Sequence, residues 1–154
     1  MNKKGFTIVE LLATLAIMSI IMVIGTYSLT GLNKIIKEDI WKSKIKLIEK
    51  AGVKFGEDHK NLLIGDCTID SKNVKCMEIS VQTLINRGYL STKEYIKNEN
   101  VEYITDEEGN KIKTITNNTL ESNDPDYYVN EFAVKIYEEN NYIYAIFTAE
   151  LLKL

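Results

Sequence analysis

Residues 1–12 read Met1-Asn2-Lys3-Lys4-Gly5-Phe6-Thr7-Ile8-Val9-Glu10-Leu11-Leu12, and the apolar run continues to Ile24. Between Phe6 and Ile24 the one ionisable residue is Glu10. Lys3 and Lys4 place positive charge ahead of an apolar run, which holds that end on the cytoplasmic side of a membrane. With Phe6 to Val9 included, the run approaches the roughly 20 residues that span a bilayer. A secretory signal would close its apolar core with a small-residue cleavage site. Here Gly25-Thr26-Tyr27-Ser28-Leu29 follows instead, and helical spacing then resumes.

A plain anchor does not account for Glu10. A carboxylate within an apolar span costs at least about 2.5 kcal/mol, so it marks a partner or a function. Helix N-termini carry unpaired N–H groups and partial positive charge, which favour a nearby carboxylate. A cut before Phe6 would also create an α-amino cation four residues ahead of Glu10. The carboxylate could neutralise that amine in its own chain or in a neighbour.

The stretch Gly5-Phe6-Thr7-Ile8-Val9-Glu10-Leu11-Leu12 resembles the class III prepilin signal of type IV pilins and type II secretion pseudopilins. The resemblance implies cleavage between Gly5 and Phe6 by a prepilin peptidase and methylation of the Phe6 amine. It also implies that Glu10 pairs with the N-terminal amine of an adjacent subunit during assembly. A second stretch, Ile79-Ser80-Val81 through Leu84-Ile85 to Gly88-Tyr89-Leu90, resembles a segment common in pilin-like proteins of Gram-positive bacteria. Unlike many pilins, the apolar run has no proline; the single proline is Pro125.

Beyond the run, Trp41, Ile45, Ile48, Gly52 and Phe55 recur at steps of three and four and form one helical stripe. Ile36, Ile40, Leu47 and Ala51 are expected to widen it. Gly25 and Gly31 each lower helix stability near the join by about 1 kcal/mol relative to alanine. The segment Asp66–Cys76 reads as a loop or weak hairpin closed by its cysteines. Ser80 to Leu90 reads as a short helix, with Ser80 as N-cap and Gly88 as its stop. Strand-like alternation flanks a turn at Asp106–Asn110, and 117–126 reads as a polar loop. Phe132–Tyr137 and Tyr142–Phe147 form a hairpin about Glu138–Asn141. No internal repeat is expected.

The fold class that follows is α+β: a long N-terminal helix, membrane-spanning in its first half, whose second half packs on an antiparallel sheet of about four strands. The expected organisation is a leader (1–5), a transmembrane or filament-core helix (6–30) and a globular head (31–154).

A net charge of −3, with acids interleaved among the lysines, disfavours a nucleic-acid partner. Cys67 and Cys76 are disulfide candidates, with free thiols as the alternative, and a bridge would imply an oxidising compartment. His59 is the single histidine and is expected to be solvated. No catalytic constellation, phosphate loop or cofactor site is visible, and no metal site is well supported. Glu121, Asn123, Asp124 and Asp126 share one loop and are weak Ca²⁺ candidates. Tyr127, Tyr128, Tyr137, Tyr142 and Tyr144 are read as cross-strand packing or a contact surface.

The resemblance implies a structural filament subunit rather than an enzyme. It would be single-pass in the cell membrane, then part of an extracellular filament serving adhesion or motility. Its expected partners are other pilin subunits, the prepilin peptidase, the pilus assembly platform and, before assembly, membrane lipid. A pseudopilin of a secretion or DNA-uptake system is one alternative. A non-polymerising membrane-anchored binding protein is another.

Overall fold

The computed structural model describes residues 7–151, without the side chains of 24–30 and 151. The protein is α+β, a long N-terminal helix packed on a small antiparallel sheet. Helix α1 runs Ile8–Asp58. The chain divides by its contacts into two units, Met1–Glu38 and Asp39–Leu154.

In the second unit the sheet has the order β1-β2-β5-β6: β1 Gly65–Ile69, β2 Lys72–Ser80, β5 Phe132–Glu139 and β6 Tyr142–Leu151. All its pairs are antiparallel. Both hairpins close on two residues with positive φ, Asp70 and Ser71 in one and Asn140 and Asn141 in the other. Such turns match the right-handed twist of the strands, and Asp and Asn tolerate them. The C-terminal hairpin thus turns on two residues rather than the expected four, with Glu138 opposite Ile143 and Glu139 opposite Tyr142.

Helix and sheet meet closely. Ile48, Ala51 and Phe55 are buried in one cluster with Val134, Ile136 and Ile143. Two glycines set the distance. A Cβ on Gly52 would lie 2.8 Å from Ala145 Cβ, and one on Gly56 would lie 2.6 Å from Ile136 Cγ2. Ile36, Ile40 and Leu47, expected to widen the buried stripe, are instead exposed. At 3.6 residues per turn, Ile40 and Leu47 fall roughly 80–100° around the helix from Ile48, too far to reach the sheet.

Helix α2, Val81–Asn86, begins where the sequence signals it. The Ser80 hydroxyl accepts from Thr83 N–H, and Gly88 adopts φ +77° just past the helix. Its inner face, Val81, Leu84 and Ile85, is buried.

The strands expected over 101–116 about the Asp106–Asn110 turn do not form as continuous elements, and the wider region 94–116 is irregular. It holds only the two-residue pair β3 Glu94–Tyr95 and β4 Lys113–Thr114, with isolated bridges at Lys97–Tyr103 and Thr105–Lys111. The reason is a repeat that the sequence reading missed. Glu94-Tyr95-Ile96, Glu102-Tyr103-Ile104 and Asn110-Lys111-Ile112 recur every eight residues. Their backbones close a ring: Ile96 N–H donates to Ile112 O, Ile112 N–H to Ile104 O, and Ile104 N–H to Ile96 O. Each segment turns from one neighbour to the other within a few residues, so the ladders between them stay at one or two residue pairs.

The turns between segments also repeat. Asn98 Oδ1 accepts from Asn100 and Glu102 N–H, and Asp106 Oδ1 accepts from Glu108 and Asn110 N–H. Val101 and Gly109, eight residues apart, both take positive φ, +66° and +82°.

One charged clasp ties this region to α1. Lys44 Nζ lies 2.7 Å from Glu94 Oε1 and donates to Thr116 O, while Glu94 Oε2 accepts from Thr116 N–H and Oγ1–H. Burial pushes the Glu94 carboxyl up. The bonds from Lys44 and Thr116 and the lysine charge outweigh burial and hold it below its ordinary value of 4.5.

Candidate assembly site

The first unit places its chemistry at the start of α1. Thr7 precedes the helix, and Leu11 N–H donates to Thr7 O. The Thr7 hydroxyl accepts from Glu10 N–H at 3.3 Å. In return, Glu10 Oε2 accepts from Thr7 N–H and from the Thr7 hydroxyl, both at 2.9 Å. This reciprocal pair is a capping box, which satisfies two of the backbone donors that a helix start leaves open. The Thr-x-x-Glu spacing was its signal, and the sequence reading used Glu10 without Thr7. Within a single chain, then, Glu10 caps its own helix. Gly5 and Phe6, the expected cleavage and methylation residues, lie outside the described residues.

From Ile8 to Val23 the large apolar side chains of α1 are all exposed; Ile8 is 78% and Met22 69% accessible. The polar groups on this stretch turn inward on the backbone. Thr14 donates to Leu11 O, and Ser19 to Leu15 O and Ala16 O. Such back-bonding leaves no hydroxyl demanding water, which suits lipid or packed protein. An exposed apolar surface of this length marks an interaction site. Among the described residues, no helix is long and apolar enough to cross a membrane. The expected span, 6–30, reaches beyond those residues at Phe6 and through the side chains of 24–30.

Elsewhere the expected site residues sit as follows. Cys67 and Cys76 form a disulfide across the β1–β2 hairpin, with Cα atoms 5.9 Å apart. Cys76 pairs with Tyr137, whose ring stacks on that of Tyr144 at 5.4 Å. These residues share the sheet face opposite α1, and Tyr142 and Tyr144 are exposed. In the 121–126 loop the backbone of the turn takes up Asp124: its Oδ1 accepts from Asp126 N–H, and its N–H donates to Glu121 O. The structure gathers no group of three metal-ligating side chains among the described residues.

His59, expected to be solvated, is half-buried. Its ring stacks on Phe55 at 4.3 Å, and Nδ1 bonds Phe55 O. It covers the end of the core where α1 stops.

Residues 1–26 match the prokaryotic N-terminal methylation motif, the class III prepilin signal of the type IV pilin and pseudopilin families. No curated protein and no solved structure matches the chain.

Proposed function

We propose that the chain is a structural subunit of a type IV pilus or pilin-like filament. The match of residues 1–26 to the methylation motif carries this reading. In it, a prepilin peptidase cuts between Gly5 and Phe6 and methylates the new amine. The apolar run over 6–30 holds the subunit in the cell membrane as a single pass. Extraction into a filament then exchanges lipid for neighbouring helices, and the exposed face from Ile8 to Val23 supports that exchange.

Glu10 has a double use in this mechanism. Before assembly its carboxylate is held by Thr7. On docking, a neighbour's Phe6 amine offers a full cation in place of neutral donors. A charge-assisted bond of this kind is roughly twice as strong as a neutral one. The exchange would set axial register.

The disulfide supports a head that folds outside the cytoplasm. The test is peptide mass spectrometry on mechanically sheared surface material and on membranes from the native host. A peptide starting at methylated Phe6 in the sheared fraction is the expected result. Retention of Met1 to Gly5 beside an active peptidase would overturn the reading. For Glu10→Ala, the expected outcome is processed protein that stays in the membrane. Incorporation at the wild-type level would sink the pairing mechanism.

A further inference from the structure

The chain over 93–103 and the 122–128 loop line an open groove of about 990 Å³. That volume lies at the upper end of the roughly 300–1,000 Å³ typical of small-molecule sites. Four tyrosine rings line it, of which Tyr103 carries Lys111 Nζ at 3.8 Å and Lys97 Nζ at 5.4 Å from its centroid, and Tyr95 carries Lys111 Nζ at 5.9 Å. Tyr95 meets Tyr103 edge-on at 5.5 Å, and Tyr127 meets Tyr128 edge-on at 5.0 Å. Only Tyr128 has its hydroxyl tied down, to the Lys97 N–H and carbonyl. The hydroxyls of Tyr95 and Tyr127 and the side chains of Ser122 and Asn123 make no hydrogen bond within the described residues.

Three further features bear on the ligand. Of the lining charges, Glu94 is engaged by Lys44, so Lys93 and Lys97 face Glu99, and Lys111 adds a further cation over the tyrosine rings. Acidic Glu121, Asp124 and Asp126 lie in the adjoining loop. An anionic polymer would need a concentrated basic lining, which this is not. A purely apolar ligand would leave the hydroxyls and amides desolvated and unpaired. Finally, the rim residue Val101 holds a left-handed backbone that β-branched residues avoid, and such strain gathers at ligand sites.

We propose that this groove binds a neutral oligosaccharide, its C–H faces against the rings of Tyr127 and Tyr128, which no lysine among the described residues covers, and its hydroxyls on Ser122, Asn123 and Tyr127. A sugar has that combination of apolar ring faces and uncharged donors and acceptors, and tyrosine is amphipathic in the same way. The inference stands on the groove and not on polymerisation.

The test uses the full, unpolymerised chain in phosphocholine micelles, which carry no sugar headgroup. Neutral trisaccharides of glucose, galactose, mannose and N-acetylglucosamine are titrated while amide NMR shifts are followed. At least one should saturate with a Kd of about 1 mM or tighter, moving amides at 95–103 and 122–128. Tyr127→Ala should weaken it about tenfold or more, the usual scale for a buried aromatic anchor. Asn123→Ala, an exposed position, serves the same purpose if the tyrosine variant folds poorly. Tyr142→Ala, on the far sheet face, should change nothing. The proposal is overturned if no trisaccharide saturates at about 10 mM. It is equally overturned by shifts that map elsewhere, by no effect of either groove variant, or by tighter binding of a single-stranded oligothymidylate.

Discussion

At the scale of single residues, glycine has opposite meanings at different points of one helix. At Gly56 a Cβ would sit 2.6 Å from Ile136 Cγ2 and 2.7 Å from Ile143 Cγ2. Gly56→Val should therefore cost about 2–3 kcal/mol through overpacking, read as a lower midpoint in thermal or denaturant melts. At Gly31 nothing lies within 4 Å of the same position. Gly31→Ala should gain about 1 kcal/mol of helix stability, seen as slower amide exchange around residue 31. Val101 inverts the argument. It is exposed and left-handed where its repeat partner is Gly109. Relief of an αL cost of about 1–2 kcal/mol, less the entropy glycine adds to the unfolded chain, makes Val101→Gly stabilising by about 0.5–1 kcal/mol. A lower denaturation midpoint in that variant would contradict the backbone assignment.

At the scale of elements, the β1–β2 hairpin is stapled and the rest of the sheet is not. Its cysteines are nine residues apart, and closing so short a loop stabilises by about 2–3 kcal/mol in the chain-entropy account. Cys67→Ser together with Cys76→Ser should lower the melting midpoint accordingly, and reductant should do the same to the wild type alone. If reductant leaves the wild-type midpoint unmoved, the bridge contributes nothing to stability. The hairpins and α2 were legible because their signals are local: turn residues, an N-cap serine, a glycine stop. The stretch 101–116 was misread because its alternation, Val101, Tyr103 and Thr105, looks like a strand. Exposure of Val101, Tyr103 and Ile104 shows that no apolar floor lies beneath 101–105, whereas Ile115 is buried in the core. Only the eight-residue recurrence could have revealed the ring.

At the scale of the whole head, the clasp of Lys44, Glu94 and Thr116 joins α1 to the region that forms the groove. Because the folded Glu94 carboxyl is held below its ordinary 4.5, its contribution is present above that value. It is lost as pH falls through the lowered folded value. Amide exchange in 92–116 should therefore accelerate, relative to the rest of the head, as pH drops below about 4.5. Glu94→Gln should exchange faster at neutral pH and lose that extra dependence. Equal acid sensitivity in the variant would mean that another carboxylate governs the region.

The sequence by itself determined the α+β class, the long helix, the C-terminal hairpin and the methylation motif. Each rests on covalent order: an apolar run, a period of 3.6 or 2, a short motif read along the chain. Only the tertiary structure decided that Gly52 and Gly56 set the helix–sheet distance and that Ile40 and Leu47 face away from the sheet. It alone assembled the clasp and the tyrosine groove. Those depend on residues tens of positions apart meeting at angles that close packing imposes and that no local pattern encodes.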